Sequence, residues 1–307
     1  MGKIRITAGA VCCTLIFLLG CSPTAQNDSS NTLSPPAPVQ LEGTLRHHMT
    51  SEAIGEQYVI DVYVPPNATE AMPVVYLTDG NTMFPIVLNT MHLLRLGNEL
   101  PPLILVGIGY QKADQSISLR NRDLTPTADE RFLQASTSQG PAVLPQAQPG
   151  GADAYLDFIR DQVKPFIESN YPAKPGDDTL MGDSLGGLFT LHALFTRPTE
   201  YARYVAGSPS LWWDEGVSFA TEANYAQTQD DLQARVFLSV GSLEESPGSE
   251  EYRMVSNMHK MADILESRSY PSLQLTRVEF DGETHLSVIP ATFGRGLRAV
   301  FAEDDVR

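Results

Sequence analysis

The chain has 307 residues, of which 42% are hydrophobic and 19% are charged, a balance typical of one large globular domain or two small ones. Its formal net charge of −16 at pH 7 argues against a nucleic acid as a partner, because the phosphates would be repelled. The same charge argues against direct binding to anionic lipid headgroups.

The N-terminal residues have the layout of an export signal. Two basic residues precede an apolar run over residues 6–19, which is too short to span a membrane well. Residues 18–21 (L-L-G-C) resemble the lipobox of bacterial lipoproteins. This resemblance implies cleavage after Gly20, at the end of a signal over residues 1–20, and a lipid anchor on Cys21. An ordinary secretory signal with an incidental cysteine is the alternative.

The residue after Cys21 is Ser22 rather than an aspartate, which in the enterobacterial sorting pattern favours the outer membrane. We therefore expect a cell-envelope lipoprotein that faces the periplasm and contacts the membrane only through the lipid on Cys21. All three cysteines lie within or at the end of the signal, so the mature chain would have no disulfide and no thiol chemistry. The polar residues 22–40 predict a disordered tether.

Residues 41–307 predict a single α/β domain. Alternating stretches at 43–49 and 58–64 predict antiparallel opening strands, and apolar runs at 73–78 and 103–109 predict buried parallel strands. Later strands are expected at 179–181, 204–207, 235–240 and 273–280, and helices at 83–96, 153–171 with a kink at Pro165, 188–197, 250–268 and 289–301. Residues 111–150 are expected to form one long loop that borders the active site. Strands that alternate with helices predict a mostly parallel sheet with helices on both faces.

Residues 182–187 have the sequence G-D-S-L-G-G and lie between a predicted strand and a predicted helix. Strand, G-x-S-x-G and helix in this order form a nucleophile elbow, in which a tight turn exposes the serine hydroxyl. The glycines leave room where side chains of the strand and the helix would collide. We therefore predict that Ser184 is a catalytic nucleophile. A serine that merely caps the helix is the alternative.

A serine hydroxyl needs a base, which near neutral pH is usually a histidine. Of the six histidines, His285 alone lies in a loop just after a C-terminal strand, and we predict that it is the base. The acid should follow a buried strand between Ser184 and His285. Glu244 meets this condition and is preferred over its neighbour Glu245, with Asp214 as a more distant candidate.

An oxyanion hole needs two backbone N–H groups that point to the developing negative charge. The N–H group of Leu185, directly after the nucleophile, should be one of them. The other should come from the loop after the predicted strand at 73–78, where Asn81 is preferred over Gly80. No metal-ligand spacing such as H-E-x-x-H occurs in the sequence, so we expect neither a metal nor another cofactor.

Residues 41–303 resemble the putative-esterase branch of the α/β-hydrolases, a group that includes siderophore esterases, formylglutathione hydrolases, feruloyl esterases and mycolyltransferases. The resemblance rests on residues 75–81, 182–187, 208–213, 240–244 and 282–285. The S-P-S-L-W-W, G-x-x-E and G-x-x-H patterns are most similar to the siderophore esterases. The resemblance implies an α/β-hydrolase fold and a triad of Ser184, Glu244 and His285. It also implies that Trp212 or Trp213 lies beside the substrate pocket, unless both are core residues.

Residues 122–126 (R-D-L-T-P) also resemble a segment of the siderophore-esterase branch. Arg122 could contact an anionic substrate or simply pair with Asp123. We expect a serine esterase that hydrolyses small esters in the cell envelope, siderophore-like or otherwise, through an acyl-enzyme. An acyltransferase with the same triad and a catalytically silent, lipid-tethered binding protein are the alternatives. The sequence leaves the oligomeric state open.

Overall fold

The computed structural model describes residues 40–66, 68–130 and 148–302. The predicted signal, Cys21 and nearly all of the predicted tether therefore lie outside the described residues. From Leu41 onward the described residues form one compact unit. Among the described residues, no helix combines the length and the apolar character that crossing a bilayer would require.

The described part of the chain contains one eight-stranded sheet. Its strands are β1 (Thr44–Thr50), β2 (Gln57–Tyr63), β3 (Met72–Leu77), β4 (Ile104–Tyr110), β5 (Ala173–Asp183), β6 (Arg203–Gly207), β7 (Ala234–Gly241) and β8 (Leu273–Phe280), in the spatial order β1-β2-β4-β3-β5-β6-β7-β8. The pairings β1–β2 and β2–β4 are antiparallel, and the pairings from β4 to β8 are parallel. This confirms the predicted mostly parallel sheet with antiparallel opening strands.

Helices cover both faces of this sheet. They are α1 (Gly80–Leu96), α2 (Ser116–Asp123), α3 (Ala152–Phe158), α4 (Lys164–Asn170), α5 (Leu185–Thr196), α6 (Val217–Ala226), α7 (Met254–Arg268) and α8 (Ile289–Val300). The buried side chains of α1 and α8 belong to one hydrophobic cluster, and those of α2 to α7 belong to the other. The sheet therefore lies between two helical layers, as predicted.

Strand β3 shows why the central strands are apolar throughout. Its side chains alternate between the two hydrophobic clusters, with Val74 and Tyr76 in one and Val75 and Leu77 in the other. Both faces of the strand are thus dry, and a polar residue in either position would lose its hydration. The carboxyl ends of β3, β5, β6, β7 and β8 meet at one edge of the sheet, where ligands of open α/β sheets bind.

The structure corrects the prediction of one long loop over residues 111–150. Residues Ser116–Asp123 form α2, and residues 131–147 of the expected loop lie outside the described residues. Helix α2 has a weak apolar signature because Leu119 is its one buried apolar side chain, whereas Asn121 and Asp123 are buried polar residues. Helix α6 was likewise not predicted from the sequence.

Two helices differ from their predicted form for reasons that concern the backbone. Helix α5 begins at Leu185 rather than Leu188, because the elbow forces helical geometry on two glycines that seldom start a helix. The predicted kink lies before Pro165 rather than at it, as a π-helical turn over Ile159–Val163 that joins α3 to α4. A proline ring collides with the carbonyl group one turn earlier, so that preceding turn widens.

Candidate active site

Ser184 lies at the tight turn between β5 and α5. Its backbone angles are φ 62° and ψ −119°, in a region that residues with a side chain seldom occupy. Two hydrogen bonds to the neighbouring loop hold this conformation. The N–H group of Ser184 donates to the carbonyl oxygen of Gly207 (3.0 Å), and its own carbonyl oxygen accepts from the N–H group of Ser210 (3.1 Å). The strained turn is therefore fixed by β6 and the segment that follows it.

Glycines make this turn possible because the chain packs against itself there. A Cβ atom at Gly182 would collide with the carbonyl oxygen of Gly186, and a Cβ atom at Gly186 would collide with Oγ1 of Thr78. The G-x-S-x-G pattern thus reflects two close approaches around the serine, as the sequence predicted.

The structure brings Ser184, His285 and Glu244 together in one hydrogen-bonded row. His285 Nε2 is 3.0 Å from Ser184 Oγ, and His285 Nδ1 is 2.6 Å from Glu244 Oε2. A carboxylate can only accept, so Nδ1 carries the proton and Nε2 is left to accept from the serine hydroxyl. The imidazole is therefore held in the tautomer that a general base requires.

Glu244 is buried, and its hydrogen bonds explain how a carboxylate is stabilised there. It lies in the short 3₁₀ turn Ser242–Glu245 after β7. Its Oε1 accepts from the Ser208 hydroxyl (2.6 Å) and from the N–H group of Gly241 (2.6 Å), and its Oε2 accepts from His285. Three donors thus compensate for the lost hydration of the negative charge.

Ser208 is a site residue to which the sequence assigned no role. It is fully buried, with a positive φ of 37°, and its hydroxyl orients the carboxylate of Glu244. The only available signal was its place in the S-P-S-L-W-W pattern, which does not show that the hydroxyl points to a neighbouring loop.

The other two acids considered from the sequence have different partners. The carboxylate of Glu245 accepts from the N–H group (2.7 Å) and the hydroxyl (2.6 Å) of Ser256, in the first turn of α7. Glu245 therefore supports a helix N-terminus. Asp214 lies in a left-handed turn (φ 44°), and its N–H group donates to the carboxylate of Asp129 (2.9 Å).

The pKa of His285 reflects opposing influences. Burial of the imidazole disfavours its charged form, but the hydrogen bond to Glu244 and the nearby acidic groups outweigh this effect, so its pKa is raised above the ordinary value of 6.5. The guanidinium of Arg120 acts in the opposite direction. Such a shift is favourable for a base that must become an imidazolium during the reaction.

Asp183, directly before the nucleophile, is a buried acid of a different kind. Within the described part of the chain, its Oδ1 has no hydrogen-bond partner. Burial raises the pKa of this carboxyl group well above its ordinary value. Of the influences that raise the pKa of His285, the hydrogen bond to Glu244 is the largest, and the Asp183 carboxyl group acts in the same direction.

The expected oxyanion-hole residues lie at two helix N-termini. Leu185 is the first residue of α5, and Gly80 and Asn81 are the first two residues of α1. The first N–H groups of a helix have no acceptor within the helix. The Asn81 amide fixes this turn to the end of β4, since its Nδ2 donates to the carbonyl oxygen of Tyr110 (3.0 Å) and its Oδ1 accepts from the N–H group of Tyr110 (2.5 Å).

Of the two arginines of α2, the one beside the nucleophile elbow is not the one that the sequence singled out. Arg122 pairs with buried Asp123 (Nε–Oδ1 2.6 Å) and donates to the hydroxyl of Tyr58, which is a structural pairing. Arg120 instead forms two 2.9 Å hydrogen bonds with Asp79, the residue that precedes Gly80. Arg120 is thus the arginine that lies beside the site.

The two tryptophans also differ. Trp213 is fully buried, and its indole N–H donates to the carbonyl oxygen of Thr127 (3.1 Å), so it is a core residue and cannot line an open pocket. Trp212 is half-buried, and its ring lies 4.9 Å from that of Tyr252. Trp212 therefore remains the pocket candidate of the pair.

Comparisons with known proteins agree with this geometry. The family model described as "Putative esterase" matches residues 51–285. The ferri-bacillibactin esterase BesA of Bacillus subtilis is 31% identical over 86% of this chain and 91% of its own length. The siderophore enterobactin esterase of Emericella nidulans is 32% identical over 85% and 95%. Among solved structures, the BES protein from Bacillus cereus has a TM-score of 0.74 and 30% identity, and the match covers 88% of this chain and 99% of that one.

Proposed function

This chain belongs to the putative esterase family, has the α/β-hydrolase fold and is an esterase, and from that premise we propose that Ser184, His285 and Glu244 are its catalytic triad. The observation that carries the proposal is the row of hydrogen bonds from Glu244 through His285 to Ser184. A helix-capping serine would need neither a histidine on its hydroxyl nor a carboxylate on that histidine.

The arrangement supports acyl transfer in two steps. Ser184 Oγ attacks the ester carbonyl carbon while His285 Nε2 takes the serine proton. His285 then gives that proton to the departing alkoxide, which leaves as an alcohol, and the acyl group remains as an ester of Ser184. Water attacks this acyl-enzyme while His285 Nε2 takes a proton from it. The bond between the acyl carbon and Ser184 Oγ then breaks, His285 returns the proton to Oγ, and the acid is released with the free serine.

The negative charge of each tetrahedral intermediate would be stabilised by backbone N–H groups. Leu185, at the N-terminus of α5, supplies one, and Asn81 or Gly80, at the N-terminus of α1, supplies the other. The two hydrogen bonds between the Asn81 side chain and the Tyr110 backbone hold the N-terminus of α1 in place before substrate binds, so little reorganisation is needed.

We propose small siderophore-like esters as the substrate class, because the curated relatives are named as esterases of bacillibactin and enterobactin. The same relatives favour water over another acyl acceptor, and the intact hydrogen-bonded row disfavours a catalytically silent binding protein.

The test is hydrolysis of a chain-length series of p-nitrophenyl esters and a siderophore trilactone by the purified chain, beside Ser184→Ala and His285→Ala. Each variant should lose roughly 10⁴-fold or more in kcat, because removal of either residue disables the same unit. Activity in Ser184→Ala equal to that of the wild type on every ester would show that another group carries the reaction.

A further inference from the structure

We propose that a cavity lined by four arginines, at the N-terminal ends of β7 and β8, binds a phosphate-bearing ligand that is either free in solution or part of a lipid headgroup. The cavity has a volume of about 820 Å³ and lies between these strand ends and the helices α1 and α8. Its arginines are Arg95, Arg235, Arg295 and Arg298. The site is separate from the proposed active site, so either proposal can fail without the other.

The arginine-lined cavity and the proposed triad lie at opposite ends of the sheet. Arg235 is the second residue of β7, whereas the turn that holds Glu244 follows Gly241, the last residue of that strand. At roughly 3.3 Å per residue, the strand from Arg235 to Gly241 spans about 20 Å. A small ligand in the cavity is therefore too far from the triad to take part in its chemistry.

The charge of the cavity is opposite to that of the whole chain. The chain has 37 acidic residues against 21 lysines and arginines, yet four arginines and a single acid, Glu99, line the cavity. A concave site with an excess of one charge attracts the opposite charge, because its low-dielectric walls focus the field. Ionic screening limits the reach of more distant exposed charges to roughly 8–10 Å. The cavity therefore favours an anion although the net charge of the chain is −16.

Backbone carbonyl groups hold two of the arginines. Nη1 of Arg95 donates to the carbonyl oxygen of Leu100 (2.8 Å), and Nη1 of Arg235 donates to that of Ala302. A carbonyl group has no net charge, so these hydrogen bonds fix each guanidinium and leave its positive charge in the cavity. Because a guanidinium has five N–H donors, Arg95 retains donors for a ligand.

The other two arginines lie three residues apart on α8, so their side chains are neighbours on one side of the helix. Arg298 Nε is 2.7 Å from Glu99 Oε2, and both side chains are more than 40% exposed, so solvent screens this ion pair. Within the described ranges of the chain, Arg295 has neither a hydrogen bond nor an ion pair through its side chain. An anion at this side of α8 therefore meets one weakly paired and one unpaired guanidinium.

Phosphate is the anion that suits this set of donors best. A guanidinium is planar and can donate two parallel hydrogen bonds to two phosphate oxygens. A phosphate monoester carries roughly 1.5–2 negative charges at pH 7, so several arginines can share it, whereas a carboxylate carries only one. The cavity is larger than a phosphate group, and Leu275 and Phe301 give it apolar walls. The ligand is therefore expected to carry an organic part beside its phosphate.

An exposed leucine beside the cavity makes a lipid headgroup one of the two sources of such a phosphate. Leu96 is 84% exposed and lies in the sequence between Arg95 and Asn98, which both line the cavity. Exposed apolar side chains next to basic ones are typical of helices at a membrane surface. A lipid-borne phosphate would thus meet the arginines while its acyl chains lie near this leucine.

The experiment has one arm for each source. Isothermal titration calorimetry measures the binding of phenyl phosphate to the purified chain, and co-sedimentation measures its binding to phosphatidylglycerol vesicles, with zwitterionic phosphatidylcholine vesicles as the reference. The cavity variant combines Arg95→Gln with Arg295→Gln, and neither arginine forms an ion pair among the described residues. The matched control combines Arg46→Gln with Arg160→Gln, because both are exposed arginines outside the cavity and their loss changes the net charge equally.

The cavity variant should weaken the binding of phenyl phosphate roughly tenfold or more, because two charged hydrogen-bond donors are lost. The control variant should change it less than twofold. Hydrolysis of p-nitrophenyl acetate should stay within twofold of the wild type in both variants, and circular dichroism should show an unchanged fold.

Two results would support the proposal and identify the source of the phosphate. Loss of phenyl phosphate binding in the cavity variant indicates a soluble ligand, and a loss confined to phosphatidylglycerol vesicles indicates a lipid headgroup. No binding in either arm, or equal losses in the cavity and control variants, would overturn the proposal. Binding that appears only in a chain ending at Ala302 would also overturn it, because the acidic residues 303–305 would then be the occupant of the cavity.

Discussion

Asp123 and Glu244 are both buried carboxylates with charge-assisted or polar partners, yet only Glu244 belongs to the candidate active site. Asp123 accepts from Arg122 (2.6 Å) and from the hydroxyl of Tyr58 (2.8 Å), and Tyr58 is fully buried. Glu244 accepts from Ser208, Gly241 and His285, and the side chain of His285 is 39% exposed. The hydrogen bonds of Asp123 end in the core, whereas those of Glu244 lead to a group that solvent can reach.

This difference shows that burial and hydrogen bonding do not by themselves identify a functional acid. Both carboxylates needed several donors to offset the loss of hydration. Asp123 secures α2 against β2, and so positions Arg120 on the same helix. Glu244 fixes the tautomer of an imidazole whose second nitrogen faces Ser184. What distinguishes the proposed catalytic acid is that its partner, His285, contacts Ser184 in turn.

The largest expected effect that separates the two acids is the loss of activity in Glu244→Gln. The amide can donate to Nδ1 and thereby favour the wrong tautomer of His285, so kcat should fall roughly 10³- to 10⁴-fold. Glu245→Gln is the matched control, and steady-state kinetics on one p-nitrophenyl ester should show a change of less than threefold. Comparable losses in both variants would show that the loss of activity in Glu244→Gln does not result from the lost hydrogen bond between Glu244 and His285.

The second effect concerns stability. Asp123→Asn should lower the free energy of unfolding by roughly 2–4 kcal/mol, because the half-buried guanidinium of Arg122 loses its counter-charge. Denaturant unfolding measures this loss, and kcat measured well below the transition should stay within threefold of the wild type.

A double-mutant cycle with Arg122→Gln sharpens this test. The double variant should be more stable than the sum of the two single losses predicts, since no unpaired charge remains. A kcat that fell with Asp123→Asn as far as with Glu244→Gln would erase the distinction between the two acids.

The sequence predicted the sheet, the elbow and the histidine because each depends on a local pattern. Alternation and apolar runs reveal strands, and close packing requires glycines on both sides of the serine. The place of Arg120 beside the site could not be predicted from such patterns, since its segment was expected to be a loop. Once it is a helix, residues two apart point about 200° apart, and one arginine faces Asp79 while the other faces Asp123.

Long-range partners explain the remaining gaps. Ser208 and Glu244 are 36 residues apart, and no local rule shows that a hydroxyl after β6 orients a carboxylate after β7. Trp212 and Trp213 are adjacent, so their different burial depends on the 3₁₀ turn that Trp213 begins. Asp214 and Glu215 have positive φ although neither is a glycine, and only Gly216 after them is one, so nothing in the sequence indicated this turn.

The smallest expected effect tests which acid sets the protonation of His285. If the neutral imidazole of His285 is the base, as we propose, kcat/KM should fall as the pH drops through the pKa of His285, and the midpoint should lie above 6.5 because the hydrogen bond to Glu244 stabilises the charged ring. Asp183→Asn should leave this midpoint within about 0.3 units, since burial disfavours the charged form of Asp183 and the amide carries no charge. The pH dependence of kcat/KM measures both values. A midpoint that moved down by half a unit or more in Asp183→Asn would show that Asp183 is ionised, and that the raised pKa of His285 depends on two buried carboxylates instead of one.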